Sequence, residues 1–449
     1  MKTVNGQQVF FLGIGGIGMS AIARYFVTLG AVVSGYDRTS SALTAQLEQD
    51  GVSVFYDDDP DLLPGKIDLA VVTPAVPQDS ELYKALKNRD IYMIKRSQVL
   101  GMLSEEYFTV AIAGTHGKTT ITALTAHIFQ EAGLAFNGFI GGIANNFNGN
   151  LVVHPDAKIL LVEADEFDRS FLALNPDIAL ISSVEADHLD IYGDHSKLVE
   201  SFIAFAERLP ENGKLILQQD QKINTTRKSY YYGLSFKSNV FADDITIKNL
   251  TQVFKLHCGI QKAVEVSLAL PGLHNLNNAL AAASIAVQMN IEPQVIAKAL
   301  ATFKGVKRRF DMRVNNEKHS YIDDYAHHPT EIKACLSALR SVFPDSRITA
   351  VFQPHLFSRT RDLIEEFSSC FGDADQLLLL DIYPAREKPI PGVDSTHLLD
   401  KISLDKKWLV QKAELLTAIE RLKPQVLVTM GAGDIDRFVE PIEKMMQRW

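Results

Sequence analysis

The sequence predicts an α/β protein built from three blocks, each with a mainly parallel sheet. Short apolar runs typical of buried strands alternate with helical patterns along most of the chain. Two glycine-rich turns, at 13–18 and 114–117, each follow such a run and precede a helical pattern. The chain has 449 residues, which is more than one hydrophobic core usually supports, so several domains are expected.

The first block, predicted as residues 1–104, opens with a strand–helix–strand unit whose helix is expected at 19–29. Its strands are predicted at 8–12, 32–36, 67–72 and 91–94. The glycine turn before the helix would present backbone N–H groups and the positive end of the helix dipole to a pyrophosphate, which is a Rossmann-like arrangement.

The second block, predicted as residues 105–305, begins with a strand that leads into the turn 114–117 and a helix. Further strands are predicted at 159–162, 178–181 and 214–217. Short alternating runs between about 225 and 270 indicate an antiparallel insertion. Residues 132–155 hold five Gly and five Asn and are expected to form a loop-rich connection.

The third block, predicted as residues 306–449, again alternates strands with helices. Strands are predicted at 321–323, 348–352, 376–380 and 425–430, and helices at 329–343, at 361–371 and from 435 onward. The alternation indicates a second Rossmann-like sheet.

The amino-acid composition argues against several classes of protein. The formal net charge of -9 argues against a general polyanion binder, so no nucleic-acid partner is expected. The three cysteines are too few and too widely spaced for a disulfide framework, which fits a cytoplasmic protein. The first residues lack the pattern of a signal peptide, so no membrane insertion is expected.

The turn 114–117 and the residues behind it predict a triphosphate site. Backbone N–H groups of the turn can point at phosphate oxygens, Lys118 adds a full positive charge, and Thr119 offers a hydroxyl to magnesium. The strict phosphate-loop pattern has Gly where Ile112 stands, and here Gly114 makes the turn instead. A glycine turn that only caps a helix would leave Lys118 and Thr119 unexplained.

The first glycine cluster, Gly13 to Gly18, is less specific. It fits a pyrophosphate on the helix N-terminus, with Asp37 at the end of the second strand meeting a ribose hydroxyl. NAD, FAD and a UDP-sugar satisfy this pattern equally well. Glycines that only permit tight packing of strand and helix are the alternative.

Acidic residues follow two predicted strands of the second block. Glu163 ends one strand, and Asp187 with His188 follows the next. Because the carboxyl ends of parallel strands meet at the ligand-binding edge of a sheet, these residues are predicted to surround a magnesium ion beside the triphosphate. Solvated acids on loops are the alternative for any one of them.

The string GTHGKTT at 114–120 resembles the Mur ligases, which make the peptide of bacterial cell-wall precursors. Further motifs follow in that family's order over about residues 8–437: EADE at 163–166, EADHLD at 185–190, LPGLHNLNN at 270–278, RRF at 308–310 and DDYAHHPTE at 323–331. The resemblance implies a Rossmann-like UDP-binding domain, a P-loop ATPase-type central domain and a Rossmann-like C-terminal domain that binds the amino acid and closes over ATP.

The resemblance also implies the site residues, with catalytic roles for Lys118, Glu163, His188 and Arg309. The ATP-binding set is Gly114, Thr115, His116, Gly117, Lys118, Thr119, Thr120, Asn275, Asn278, Arg309 and Asp324. The metal ligands are Thr119, Glu163 and His188. The UDP-sugar set is Gly15, Gly16, Ile17, Gly18, Asp37 and Arg96, and the amino-acid set is Tyr325, His327, His355 and Arg359.

Cofactors and partners follow in the same way: ATP, Mg²⁺, UDP-N-acetylmuramate and, through the run QPHLFSRT at 353–360, L-alanine. Leu356 stands where some members have Arg, and Ser182-Ser183 where Thr-Asn is more common. The protein is expected to be a monomer or a homodimer.

Three other functions fit parts of the pattern. A recycling ligase of the same family joins a whole tripeptide to the same sugar nucleotide, but GIGGIGMS at 13–20 and the run 353–360 favour a single amino acid. A P-loop switch or motor would not need the first block. A nicotinamide dehydrogenase would use the first glycines and leave the phosphate loop unexplained.

Overall fold

The computed structural model describes residues 4–187, 189–221, 223–385 and 387–449. The chain forms two compact units. The first unit extends to Val240 and includes Ala281–Ile296, and the second contains Phe241–Leu280 and Ala297–Trp449.

The N-terminal part of the first unit is a five-stranded parallel sheet. Its strands are β1 (Gln8–Leu12), β2 (Val32–Tyr36), β3 (Ser53–Phe55), β4 (Leu69–Val72) and β5 (Met93–Lys95), in the spatial order β3-β2-β1-β4-β5. Its helices are α1 (Ile17–Thr28), α2 (Ala42–Gln49), α3 (Glu81–Asn88) and α4 (Arg96–Glu106). The predicted strand–helix–strand unit is therefore confirmed.

A second sheet in the first unit carries the phosphate loop. Its strands are β6 (Phe108–Ala113), β7 (Phe136–Ala144), β8 (Gly149–Val152), β9 (Ile159–Glu163), β10 (Ile178–Ile181), β11 (Lys214–Gln218) and β12 (Ser229–Gly233). They lie in the order β12-β11-β10-β6-β9-β7-β8, and β8 alone of these seven is antiparallel to its neighbour. The helices here are α5 (Lys118–Glu131), α6 (Leu189–Tyr192) and α7 (His195–Glu207). Every residue of β10 is buried, as expected for a parallel strand covered on both faces.

The second unit begins at Phe241, within β13 (Val240–Lys248), and continues with β14 (Thr251–Cys258) and β15 (Val264–Leu268), which pair antiparallel with each other. The other two unit boundaries fall within α8 (Leu273–Gln288) and α9 (Pro293–Thr302). A further sheet has the strands β16 (Asp311–Asn315), β17 (Ser320–Asp324), β18 (Ile348–Phe352), β19 (Gln376–Leu379), β20 (Lys407–Leu409) and β21 (Val426–Met430). Its order is β16-β17-β21-β18-β19-β20, with β16 antiparallel and the other strands parallel.

The helices around this last sheet are α10 (Pro329–Val342), α11 (Phe357–Asp362), α12 (Ile364–Ser369), α13 (Ser395–Lys401), α14 (Leu415–Leu422) and α15 (Val439–Met446). Separate apolar clusters that include Ile322 and Tyr321, successive residues of β17, cover its two faces. Across the described parts of the chain, no helix has both the length and the apolar character needed to cross a membrane.

Three sequence predictions were wrong in detail. Residues 132–155 form the hairpin β7–β8 rather than a loop, and the glycines in β7 reflect close approach to other groups. The strand β12 pairs parallel with β11 instead of belonging to an antiparallel insertion. The predicted helix at 361–371 is interrupted at Leu363, where φ is -116° and α11 gives way to α12.

Candidate active site

The phosphate loop, residues 114–117, connects β6 to α5. Gly117 has a φ of +83° and directly precedes Lys118, the first residue of α5. Gly114 has a φ of +131°, and a Cβ on it would lie 2.1 Å from Ser182 Oγ. Both conformations favour glycine, and the loop leads into a helix start whose first N–H groups have no intrahelical acceptor. This is a suitable site for an anion.

Ser182 and Ser183, which follow β10, hold the loop in place. Ser183 Oγ lies 2.8 Å from Thr115 Oγ1 and accepts a hydrogen bond from the His116 N–H at 3.0 Å. Ser182 Oγ donates to the carbonyl oxygen of His116 at 2.5 Å. The serine pair that departs from the more common Thr-Asn therefore keeps direct hydroxyl contacts to the loop.

Lys118 packs against the buried Glu166, and 13% of the lysine side chain is exposed. Its Nζ donates to Glu166 Oε2 at 2.6 Å and to the carbonyl oxygen of Gly114 at 2.7 Å. Burial raises the pKa of Glu166 to about 7, against the lowering effect of Lys118. Burial alone would lower the pKa of Lys118, but Glu166, Asp165 and Glu163 raise it above its ordinary value. The ammonium group therefore stays charged.

Glu163, the last residue of β9, contacts Thr119. Thr119 Oγ1 donates to Glu163 Oε1 at 3.1 Å, and the Gly141 N–H donates to Oε2 at 2.9 Å. A Cβ on Gly141 would lie 2.1 Å from that same oxygen, so only glycine allows this approach. A carboxylate and a hydroxyl beside a phosphate loop are oxygen ligands that fit Mg²⁺. The third predicted ligand, His188, lies outside the described residues.

The first glycine cluster connects β1 to α1. Gly16 is the N-cap of α1, with an ordinary φ of -64°. The Gly15 N–H donates to Asp37 Oδ2 at 2.8 Å. Asp37 therefore stabilises the turn itself, and its predicted contact with a ribose stays a prediction.

Arg96, the first residue of α4, lies over this cluster. A Cβ on Gly18 would be 2.3 Å from Arg96 Nη1, and Arg96 Nη2 donates to Asp165 Oδ2 at 3.1 Å. A cavity of about 90 Å³ is bounded by Ile17, Gly18 and Arg96 on one side and by Gly141, Glu163 and Asp165 on the other. One cavity of the first unit thus joins the first glycine cluster to the carboxylate beside the phosphate loop.

The predicted amides lie at the start of α8. Asn275 is buried, and its Nδ2 donates to the carbonyl oxygen of Pro271 at 2.9 Å. Asn278 lies three residues further along the helix, so the two side chains are on the same face. Burial lowers the pKa of the adjacent His274 to about 4, against the raising effect of Glu331. His274 is therefore neutral at physiological pH.

Arg308 and Arg309 both contact the ring of Tyr325. Their guanidinium carbons lie 5.2 Å and 4.9 Å from the ring centroid, within the range of a cation–π interaction. Asp324 accepts a hydrogen bond from the Phe310 N–H at 2.7 Å. Burial raises the pKa of Asp324 to about 6, opposed mainly by Arg309. The predicted residues Arg309, Asp324 and Tyr325 thus form one cluster.

The four predicted amino-acid-binding residues also lie together. The rings of Tyr325 and His327 are 5.3 Å apart, and those of His327 and His355 are 6.1 Å apart. Arg359 Nη1 lies 3.4 Å from His355 Nδ1. Tyr383 extends the cluster, because its ring stacks on His355 with centroids 5.8 Å apart.

Sequence reasoning missed the contacts of Glu166 and Tyr383. Glu166 stood in the quoted motif EADE, yet only the fold shows that its side chain is directed at Lys118. Tyr383 belongs to no recognised motif; its backbone pairs with that of His355. Leu356 has 7% of its surface exposed and contributes no polar group at this position.

These features define an α/β protein with a phosphate-loop nucleotide site and a second glycine loop beside it. Three family models match the chain: "Mur ligase family, catalytic domain" over residues 8–108, "Mur ligase middle domain" over 112–286, and "Mur ligase, glutamate ligase domain" over 308–433. The chain belongs to the Mur ligase family and has its three-domain α/β fold.

Particular ligases and solved structures are also similar to this chain. The chain is 45% identical to a UDP-N-acetylmuramate–L-alanine ligase of Christiangramia forsetii, over 99% of each sequence. The crystal structure of a UDP-N-acetylmuramate–alanine ligase from Thermotoga maritima has a TM-score of 0.85 at 25% identity, covering 98% of this chain and 99% of that one. A murein peptide ligase from Psychrobacter arcticus, at 23% identity, shares the fold with a TM-score of 0.75 over 99% and 98% of the two chains.

Proposed function

We propose that this protein joins L-alanine to the lactyl carboxylate of UDP-N-acetylmuramate at the expense of ATP. The observation that carries the proposal is the cavity that Gly18 and Arg96 share with Glu163. A sugar nucleotide held on the first glycine cluster would extend toward the phosphate loop through this cavity. Such proximity is what a transfer from ATP to a substrate carboxylate requires.

In the proposed reaction the lactyl carboxylate attacks the γ-phosphate of ATP, which gives ADP and an acyl phosphate. The amine of alanine then attacks the acyl carbon, and phosphate leaves through a tetrahedral intermediate. Lys118 and the N–H groups of the phosphate loop would stabilise charge on the transferred phosphoryl group. Asn275, Asn278, Arg309 and Asp324 are proposed to contact the nucleotide.

We propose Thr119, Glu163 and His188 as the magnesium ligands. The 3.1 Å contact between Thr119 and Glu163 supports the first two. Bound magnesium would neutralise charge on the phosphate oxygens. Glu163 is kept in place for this role by the N–H of Gly141.

The proposed amino-acid site is the cluster of Tyr325, His327, His355 and Arg359. A small substrate such as alanine offers few contacts, so its carboxylate must supply much of the recognition. Arg359 is buried, and its guanidinium lies beside His355, which supports its assignment as the group that binds this carboxylate.

We propose domain boundaries at 1–104, 105–305 and 306–449, which the ranges of the three family models support. The remaining proposals are a cytoplasmic location and a monomer or homodimer. The tripeptide-recycling activity is the nearest alternative, and its support from the murein peptide ligase extends only to the fold.

An omission assay tests the function. Phosphate release is measured with ATP, UDP-N-acetylmuramate and L-alanine, and each substrate is left out in turn. We expect turnover only with all three. Rapid ATP hydrolysis without the sugar nucleotide would favour a switch or motor, and equal use of the tripeptide L-Ala-γ-D-Glu-meso-diaminopimelate would favour the recycling ligase.

The Arg359→Lys variant tests the amino-acid site. It keeps the positive charge but loses the planar pair of donors, so the KM for L-alanine should rise by about tenfold while the KM for ATP stays within about twofold. Steady-state kinetics with each substrate varied separately measures both values. A larger rise in the KM for ATP would assign Arg359 to the nucleotide site.

A further inference from the structure

Glu166 has no role in the proposed reaction, although it is the most deeply buried acid at the phosphate loop. Its side chain is 1% exposed. Both of its carboxylate oxygens accept hydrogen bonds from Lys118 Nζ, at 2.9 Å and 2.6 Å. A carboxylate that is removed from water is costly unless it is paired, and here its partner is the lysine predicted to meet ATP.

Lys118 can donate hydrogen bonds to the Glu166 carboxylate and to a phosphate oxygen at the same time. An ammonium has three N–H donors. The carbonyl oxygen of Gly114 accepts one at 2.7 Å, and the Glu166 carboxylate accepts a second, which its two oxygens share at 2.9 Å and 2.6 Å. The third donor faces the carbonyl oxygen of Thr115 at 3.5 Å, a long contact that a phosphate oxygen can replace while the other two donors fix the position of the nitrogen.

The backbone of Glu166 is itself held firmly. Its carbonyl oxygen accepts hydrogen bonds from the Tyr192 hydroxyl at 2.5 Å and from the Arg169 N–H at 2.9 Å. Asp168 and Arg169 have φ values of +52° and +54°, in the left-handed region that is uncommon for residues other than glycine. Two hydrogen bonds to its carbonyl oxygen therefore hold the backbone of Glu166 in place.

We propose that Glu166 is a positioning residue: it anchors the ammonium group of Lys118 at the phosphate loop, so that ATP meets a cation already in place. The inference rests on the proposed ligase function. A lysine side chain is long and flexible, and fixing it before the reaction removes that ordering from the catalytic step. Glu166 itself touches no substrate in this arrangement.

The Glu166→Gln variant removes the charge and keeps the shape. We expect kcat to fall by about tenfold and the KM for ATP to change by less than about threefold, since a misplaced cation costs most when charge develops on the phosphoryl group. The Glu166→Asp variant keeps the charge on a shorter side chain and should recover part of kcat. Thermal unfolding of each variant confirms that it is folded, and the Asp variant carries the test if the Gln variant is not.

A double-mutant cycle with Lys118→Ala separates positioning from a general structural role. If Glu166 acts through Lys118, Glu166→Gln should lower kcat by less than about twofold in the Lys118→Ala background. Glu207→Gln is the matched control, because Glu207 also pairs with a basic residue, Arg227, and lies outside the proposed site. This control should leave kcat unchanged in both backgrounds.

Two results would overturn the inference. A further tenfold loss in the Lys118→Ala background would show that Glu166 acts on something else. Tighter ATP binding with unchanged or faster turnover in Glu166→Gln would show that Glu166 competes with phosphate for the lysine. Either result, obtained while the parent enzyme still requires UDP-N-acetylmuramate and L-alanine, would leave the proposed function intact; a parent enzyme without that requirement would refute the function instead.

Discussion

The two glycine loops of the first unit have the same layout and differ in where their positive charge comes from. Each connects a buried parallel strand to the start of a helix, β1 to α1 and β6 to α5. The phosphate loop carries its cation in the next residue, Lys118. The first glycine cluster has none in its own sequence, and Arg96 reaches it from the start of α4.

The loops also differ at one glycine of each, Gly114 in the phosphate loop and Gly16 in the first glycine cluster. Gly114 is held against Ser182 in a left-handed conformation, whereas Gly16 has an ordinary φ and open surroundings, with the Gly13 carbonyl oxygen nearest at 3.7 Å. The same glycine-to-helix pattern can thus carry its own cation, as Lys118 does, or lie beside a cation from another helix, as with Arg96. The difference suits the proposed roles, in which the phosphate loop stabilises a reacting phosphoryl group and the first glycine cluster binds a pyrophosphate.

The largest effect should come from the cation within the phosphate loop. In Lys118→Ala, kcat should fall by at least about 100-fold, because the lost charge interacts most strongly with the phosphoryl group during transfer. Phosphate release at saturating substrates measures this. Lys66→Ala is the control, since Lys66 is a solvent-exposed lysine of the same unit whose side chain is 73% exposed. A loss in Lys118→Ala no larger than in this control would contradict the assignment of the loop.

The Glu163→Ala variant should lose less kcat than Lys118→Ala, and added magnesium should restore part of it. Removing one oxygen ligand should weaken magnesium binding, so kcat should fall by about tenfold or more at low magnesium and recover in part as magnesium is raised. A titration of activity against Mg²⁺ shows whether the midpoint moves. A loss that magnesium leaves unchanged would place Glu163 outside the metal site.

The sequence was sufficient to predict the parallel sheets and the phosphate loop, because these depend on local patterns. Buried strands are apolar throughout, and a loop lysine needs to be near only its own helix. The hairpin β7–β8 was missed for the opposite reason. Its glycines look like loop residues in sequence, but Gly141 is small because Glu163 from another strand approaches it.

Some site residues could likewise be grouped from the sequence, and others only from the structure. Tyr325, His327, His355 and Arg359 could be grouped because family resemblance supplied what spacing alone does not. The pairing of Glu166 with Lys118 joins positions 48 residues apart in sequence. No local pattern encodes such a contact, and it depends on β9 lying beside β6 in the sheet.

The Arg96→Lys variant tests whether Arg96 provides the positive charge at the first glycine cluster. The charge is kept, but the planar group that bonds to Asp165 is lost, so the KM for UDP-N-acetylmuramate should rise by several-fold to about tenfold. The KM for ATP should change less. Steady-state kinetics with the sugar nucleotide varied at saturating ATP and alanine provides the comparison. If the KM for ATP rises most, Arg96 acts through Asp165 on the phosphate loop rather than on the sugar nucleotide.

The smallest effect on the fold should come from Gly16→Ala, compared with Gly114→Ala as its matched partner. Alanine at Gly16 meets no backbone strain and no atom closer than 3.7 Å, so Tm should be unchanged; a methyl group at the helix N-cap should still raise the KM for UDP-N-acetylmuramate by a few-fold. Alanine at Gly114 must adopt a φ of +131° against Ser182 Oγ, which should destabilise the protein by about 1–3 kcal/mol. Thermal unfolding measures both. Equal losses of Tm would contradict the difference in backbone conformation and packing between Gly16 and Gly114. An unchanged KM in Gly16→Ala would show that the pyrophosphate does not lie against that N-cap.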